Sequence, residues 1–120
     1  MDEPDGRAAP PGAVRLREVP GAVVLAVSGP LDLSLAPHLQ RAVTRAARLR
    51  PPTLVIDLTD ATFLASVGMA ELVRAHRTVG GGTAVRIVAT GRLLLRPLEL
   101  TRLTDELDIH ATLDDALAAV

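Results

Sequence analysis

The sequence predicts an α/β domain: a small mixed β-sheet packed with about four helices. Two observations carry this. Apolar, β-branched runs of strand length recur at Val14–Val19, Ala22–Val27, Thr53–Leu58 and Thr83–Ala89. Between the later runs lie amphipathic stretches with apolar residues three or four apart, so strands alternate with helices. That alternation calls for parallel neighbours joined by right-handed crossovers.

Met1 to Gly12 carries Pro4, Gly6, Pro10, Pro11 and Gly12 and is expected to be a mobile tail, leaving 13–120 as one domain. Pro20-Gly21 is a turn dipeptide, so the first two runs form a hairpin. Val23 to Val27 is apolar on both alternating faces and belongs to the more buried strand. Leu35, Leu39, Ala42, Val43, Ala46 and Leu49 share one helical stripe, with Arg41, Arg45 and Arg48 outward. Arg50-Pro51-Pro52 stops that helix. The strand Thr53–Leu58 is expected to end at Thr59-Asp60. A second helix is predicted from Ser66 to Thr78, with Met69, Leu72, Val73 and His76 on its stripe, closed by Gly80-Gly81-Gly82. Arg92 to Glu106 reads as helical, with Pro97 interrupting it or starting a segment within it. A short strand at Asp108–His110 precedes a last helix. Thr112 caps it, Asp115 sits three residues on, and Leu113, Ala116, Leu117 and Val120 form its stripe.

At 120 residues, with 48% hydrophobic and 1% aromatic residues, the chain has one core built of Leu, Val, Ile and Ala. The net charge of −1 gives no electrostatic case for nucleic acid or an anionic membrane as partner. Phe63 is the only aromatic available for stacking on bases. Absence of cysteine excludes disulfides and thiolate chemistry. All 13 basic residues are arginine, which excludes Schiff-base lysines and a Walker-type loop and suits a GC-rich bacterial genome. No stretch approaches the ~18 apolar residues of a membrane span. The acidic start Met1–Arg7 is not followed by the apolar region of a secretory signal, so a cytoplasmic location is expected.

The joint Phe63-Leu64-Ala65-Ser66-Val67-Gly68-Met69 links the predicted strand to the second helix. Ser66 falls at the expected N-cap, and the positive end of a helix dipole favours an attached phosphate. Gly68, a poor helix former, points to close backbone approach. On spacing alone, the reading of Ser66 as a simple cap is the stronger one. Asp32, after the second strand, could begin an Asx-turn or cap the first helix. Asp57, inside an apolar run, either lies on a strand next to the functional edge or pairs with an arginine. The three histidines, His38, His76 and His110, fall in separate elements, and the acidic residues from Asp105 to Asp115 match no calcium loop. No nucleophile–base pair emerges, so the chain is not expected to be an enzyme, and no cofactor or metal is expected.

From about Val14 to Val120 the chain resembles the STAS domain family, which includes anti-sigma factor antagonists and the cytoplasmic tails of sulphate transporters. The resemblance rests on Gly29-Pro30-Leu31-Asp32, Leu54-Val55-Ile56-Asp57-Leu58, Phe63-Leu64-Ala65-Ser66-Val67-Gly68, Leu98-Glu99-Leu100-Thr101 and Leu113-Asp114-Asp115-Ala116-Leu117. In phosphorylatable members the central motif reads Asp-Ser-Ser-Gly or Asp-Ser-Thr-Gly, and its first hydroxyl residue takes the phosphate. Here Ser66 and Gly68 keep the pattern, while Ala65 replaces the aspartate, Val67 the second hydroxyl residue, and Pro30 the glutamate of a Gly-Glu-Leu-Asp motif. The resemblance implies an antagonist that docks on an anti-sigma factor of histidine-kinase-like ATPase fold and releases a sigma factor. It further implies phosphorylation of Ser66 by that kinase, resetting by a phosphatase, and a partner surface comprising Asp32, Ala65, Ser66, Val67, Gly68 and Met69. Two other readings stay open: a constitutive, unphosphorylated STAS module, or the soluble regulatory domain of a transport system, which would follow membrane spans.

Overall fold

A computed structural model describes residues 12–119. The tail expected over Met1 to Gly12 therefore lies outside the described residues except at Gly12, which is not tail-like. A Cβ added there would come within 2.6 Å of Leu35 Cδ2 and 2.7 Å of the Ser28 carbonyl oxygen.

Five strands form one sheet in the order β1 (Ala13–Val19), β2 (Ala22–Leu31), β3 (Thr53–Leu64), β4 (Ala84–Val88) and β5 (Ile109–His110). β1 and β2 form the predicted antiparallel hairpin, with Gly21 at φ 79° in the turn, and every later neighbour is parallel. Four helices complete the fold: α1 (Ala36–Arg48), α2 (Ser66–Thr78), α3 (Arg92–Leu100) and α4 (Leu113–Ala118). Leu39 and Val43 of α1, Leu72 and Ala75 of α2, and Leu94 and Leu98 of α3 join Val23, Leu25, Leu54, Ile56 and Ile87 in the main core. The alternate residues Val24, Val55 and Val88 meet Ala116 of α4 in a second, smaller cluster. Coverage of both faces explains why the central strands read as continuous apolar runs. Arg86 of β4 is buried, and its Nη1 donates to the Ala116 carbonyl at 2.8 Å, which ties α4 to the sheet.

β3 does not end at Thr59-Asp60; it runs on to Leu64. Against β2 the register shifts between Ala26 and Ser28 and again between Gly29 and Pro30, each shift placing one extra residue in β3. These bulges accommodate the polar residues that read as a turn. The Asp57 carboxylate accepts from the Thr59 N–H and hydroxyl at the first bulge, so it serves its own strand and pairs with no arginine among the described residues.

α1 and α2 match their predicted spans within a residue, although Leu49, expected on the α1 stripe, lies past the helix end and is about half exposed. Pro97 does not break α3, which buried Leu94 and Leu98 hold to the sheet on either side of it. The helix ends at Leu100, where the Thr101 hydroxyl donates to the Pro97 carbonyl at 2.8 Å, and a single 3-10 turn follows at Leu103–Asp105. Gly81 and Gly82, at φ 68° and 91°, make the predicted turn before β4. Thr112 caps α4 as expected, its Oγ1 accepting the Asp115 N–H at 3.0 Å. Thr112→Ala is expected to cost ~1 kcal/mol in urea unfolding, the usual loss for an N-cap.

Candidate functional site

The parallel strands β2 and β3 finish side by side, with Leu31 opposite Leu64 in the ladder. One more bond extends the pairing past the strand ends, from the Ala65 N–H to the Leu31 carbonyl at 3.1 Å. The loop that opens α1 and the start of α2 are thereby held together at the carboxyl edge of the sheet, where open α/β sheets present functional groups. This brings Asp32 and Ser66 into one region.

Asp32 organises its loop. Its Oδ1 accepts from the Ser34 N–H at 3.1 Å, the Ser34 hydroxyl at 2.9 Å and the Leu35 N–H at 3.1 Å. The Asx-turn read from the sequence is therefore filled, whereas the N-cap of α1 is Leu35, with no side chain capping that helix. The Ser34 hydroxyl, and then the Leu35 N–H, hold the Asp32 carboxyl below its usual pKa. A depressed native pKa means the contribution is present above the ordinary carboxylate range and disappears as pH falls through the native value. Titrating wild type and Asp32→Asn towards acid is expected to bring their unfolding midpoints together once pH has fallen below the ordinary carboxylate range.

Ser66 is exposed and is the first residue of α2, not its N-cap. The N-cap is Ala65, at φ −80° and ψ 164°, whose carbonyl accepts the Met69 N–H at 3.0 Å. The tie to Leu31 sets the helix start one residue earlier than the hydroxyl suggested. No side chain caps this helix, so the Ser66 hydroxyl has no structural duty there. Ser66→Ala is accordingly expected to change unfolding free energy by no more than about 0.5 kcal/mol, as for an ordinary surface substitution. Backbone N–H groups of the first turn, unpaired within the helix, give this end its positive partial charge.

Gly68 departs most from the expected partner surface. It is buried, and a Cβ there would stand 2.7 Å from both the Leu31 carbonyl oxygen and Leu31 Cγ. The close approach inferred from the sequence is real, but the neighbour is the protein's own β2. Ala65, Val67 and Met69 are half-buried, and Met69 Sδ lies 3.8 Å from the Thr101 hydroxyl at the end of α3. Two apolar residues missed in the sequence adjoin the site: Leu33, 75% exposed next to Asp32, and Phe63, 53% exposed three residues before Ser66. Leu100, beside Thr101, is 69% exposed. Their signal was position, since each large apolar side chain sits at an element end beside the α2 start.

The histidines do not converge. His38 is exposed with Nδ1 3.1 Å from Arg41 Nη2, His76 is half-buried on α2, and His110 Nε2 lies 2.9 Å from Asp108 Oδ1. Of the acidic residues near the C-terminus, Glu106 pairs with Arg77 and Asp105 with Arg102. Among the described residues no group of His, Asp and Glu is placed to hold a metal, and no helix is long and apolar enough to cross a membrane.

Comparison with known proteins agrees with this fold. The chain is 35% identical over 100 residues to the anti-sigma-F factor antagonist RsfB of Mycobacterium tuberculosis, covering 83% of this chain and 82% of the relative. The crystal structure of an anti-sigma factor antagonist from Mycobacterium paratuberculosis superposes with a TM-score of 0.88 at 37% identity, over 95% of this chain and 98% of that one. The Bacillus cell fate determinant SpoIIAA in its phosphorylated form shares the fold at 17% identity, with a TM-score of 0.62 over 88% of this chain and 96% of that one. A profile of the STAS domain matches residues 13–116, and the chain belongs to the STAS domain family.

Proposed function

We propose that the protein is an anti-sigma factor antagonist: it binds an anti-sigma factor, frees the sigma factor that partner holds, and is switched by phosphorylation of Ser66. The observation that carries this reading is the exposed Ser66 hydroxyl at the positive end of α2, without a capping duty and beside the Asp32 loop. The relatives named as antagonists of anti-sigma factors support the binding role. The anti-sigma factor, of histidine-kinase-like ATPase fold, supplies the phosphate. Ser66 Oγ attacks the γ-phosphorus of ATP, its proton passes to a base of the kinase, and ADP leaves. A phosphatase returns Ser66 to the hydroxyl form with water. Throughout, this chain acts as binding protein and phosphate acceptor and not as a catalyst.

Phosphate adds about −1.5 to −2 charge at neutral pH. At the start of α2 the fold tolerates that charge, because unpaired N–H groups and the dipole favour it. Between Leu33, Phe63 and a partner surface the same charge is costly to desolvate, so the docked state alone is penalised. The switch then needs no refolding. Incubation of the full chain with the anti-sigma-F factor of the source organism and ATP is expected to raise its intact mass by one phosphate, lost in Ser66→Ala. A second reading has its own observation. Ala65 and Val67, half-buried and apolar, stand on either side of Ser66 where phosphorylated relatives carry polar groups. A chain that binds tightly and never gains phosphate in that experiment is a constitutive STAS module.

A further inference from the structure

We infer that the N-terminal segment, residues 1–11, docks on its own domain, in the groove between β1 and α1. The inference is independent of the function proposed above. Val14 of β1, Leu35 at the α1 N-cap and Ala42 of α1 give the groove its apolar lining, and Arg41 and Arg45 line it one helical turn apart. Both arginines are exposed, and among the described residues neither pairs with a carboxylate. No acidic side chain lines the groove, and α1 contains neither Asp nor Glu. Two cationic side chains beside an apolar strip call for an occupant that is apolar in one part and acidic in another.

The place where the chain enters β1 selects that occupant. Gly12 itself lines the groove. It is seated so closely that an added Cβ would stand 2.6 Å from Leu35 Cδ2, 2.7 Å from the Ser28 carbonyl oxygen and 3.2 Å from that of Pro30. The preceding segment therefore starts inside the groove and is held there at high effective concentration, an advantage no untethered chain has. Its sequence matches the lining in the right order. Ala8, Ala9, Pro10 and Pro11, nearest to Gly12, suit the apolar part, and the two prolines reduce the freedom lost on docking. Farther out, Asp2, Glu3 and Asp5 outnumber the single Arg7 and suit the arginines. The lengths agree as well. From Leu35 to Arg45 the helix rises about 15 Å. Asp5 stands seven residues before Gly12, a reach of up to about 23 Å. The carboxylates can thus meet Arg41 and Arg45 even after the chain turns back along α1.

A charge swap in the full chain tests this. One variant carries Glu3→Arg and Asp5→Arg, a second carries Arg41→Glu and Arg45→Glu, and a third carries all four changes. Urea midpoints establish that each is folded. Amide hydrogen exchange at Gly6 to Ala9 is then measured by NMR at low salt, relative to a free peptide of the matching sequence 1–12. Wild type is expected to exchange several-fold more slowly than its peptide. Each two-residue variant should lose that protection, the four-residue variant should regain it, and added salt should weaken it. Wild-type exchange equal to that of the free peptide overturns the inference. So does protection that survives both reversals, or that the four-residue variant fails to regain, because the arginines would then not hold the segment. Protection that appears only as protein concentration rises gives the groove to a second copy and overturns it too.

Discussion

Gly68→Leu is expected to damage folding before it damages binding. The substitution forces side-chain atoms into a place where even a Cβ would lie 2.7 Å from the Leu31 carbonyl oxygen. That oxygen also accepts the Ala65 N–H, so it cannot move away without loosening the joint between β2 and α2. Overpacking of a tight site costs about 1–3 kcal/mol, more where backbone must shift, against a total stability of about 5–15 kcal/mol for an ordinary domain. Helix propensity acts in the opposite direction but is worth only about 1 kcal/mol. Sterics therefore win, and the urea midpoint of Gly68→Leu should fall by an amount corresponding to about 3 kcal/mol. Gly68→Ala, which adds only the clashing Cβ, should fall in the same direction by less. A Gly68→Ala protein more stable than wild type by the full propensity gain would show that α2 can lift from Leu31 without loss.

How much of this was legible in the sequence differs element by element. α1 was read within a residue because stripe, proline stop and outward arginines agree. The α4 cap was legible because Thr112 and Asp115 bond locally, within one turn. β3 was cut short because Thr59-Asp60 has the composition of a turn. Its continuation depends on pairing with a β2 segment more than thirty residues away, which no local signal reports. The same tertiary bond, Ala65 to Leu31, moved the N-cap off Ser66. Gly68 was correctly singled out as a close approach, but only the fold identifies its neighbour. Leu33 and Phe63 were missed because apolar identity predicts burial, and these two are exposed.

Ser66→Asp and Ser66→Ala are expected to part company in binding and not in stability. Alanine removes the phosphate acceptor without adding charge, and the hydroxyl it deletes caps nothing. Aspartate at the first position of a helix gains about 0.3–1 kcal/mol from the dipole, so its fold is no weaker than wild type. Once docked, however, its carboxylate must lose water beside exposed Leu33 and Phe63. Ser66→Asp should therefore bind the cognate anti-sigma factor about tenfold more weakly than Ser66→Ala, roughly 1.4 kcal/mol, in calorimetric titrations with ADP present. The aspartate carries one charge where phosphoserine carries nearly two, so fully phosphorylated wild type should bind more weakly still. Equal affinities for the two variants, together with no phosphate appearing on wild type under the partner kinase, would remove the switch. Ser66 would then be a neutral part of a permanently competent docking surface, as its apolar neighbours Ala65 and Val67 permit.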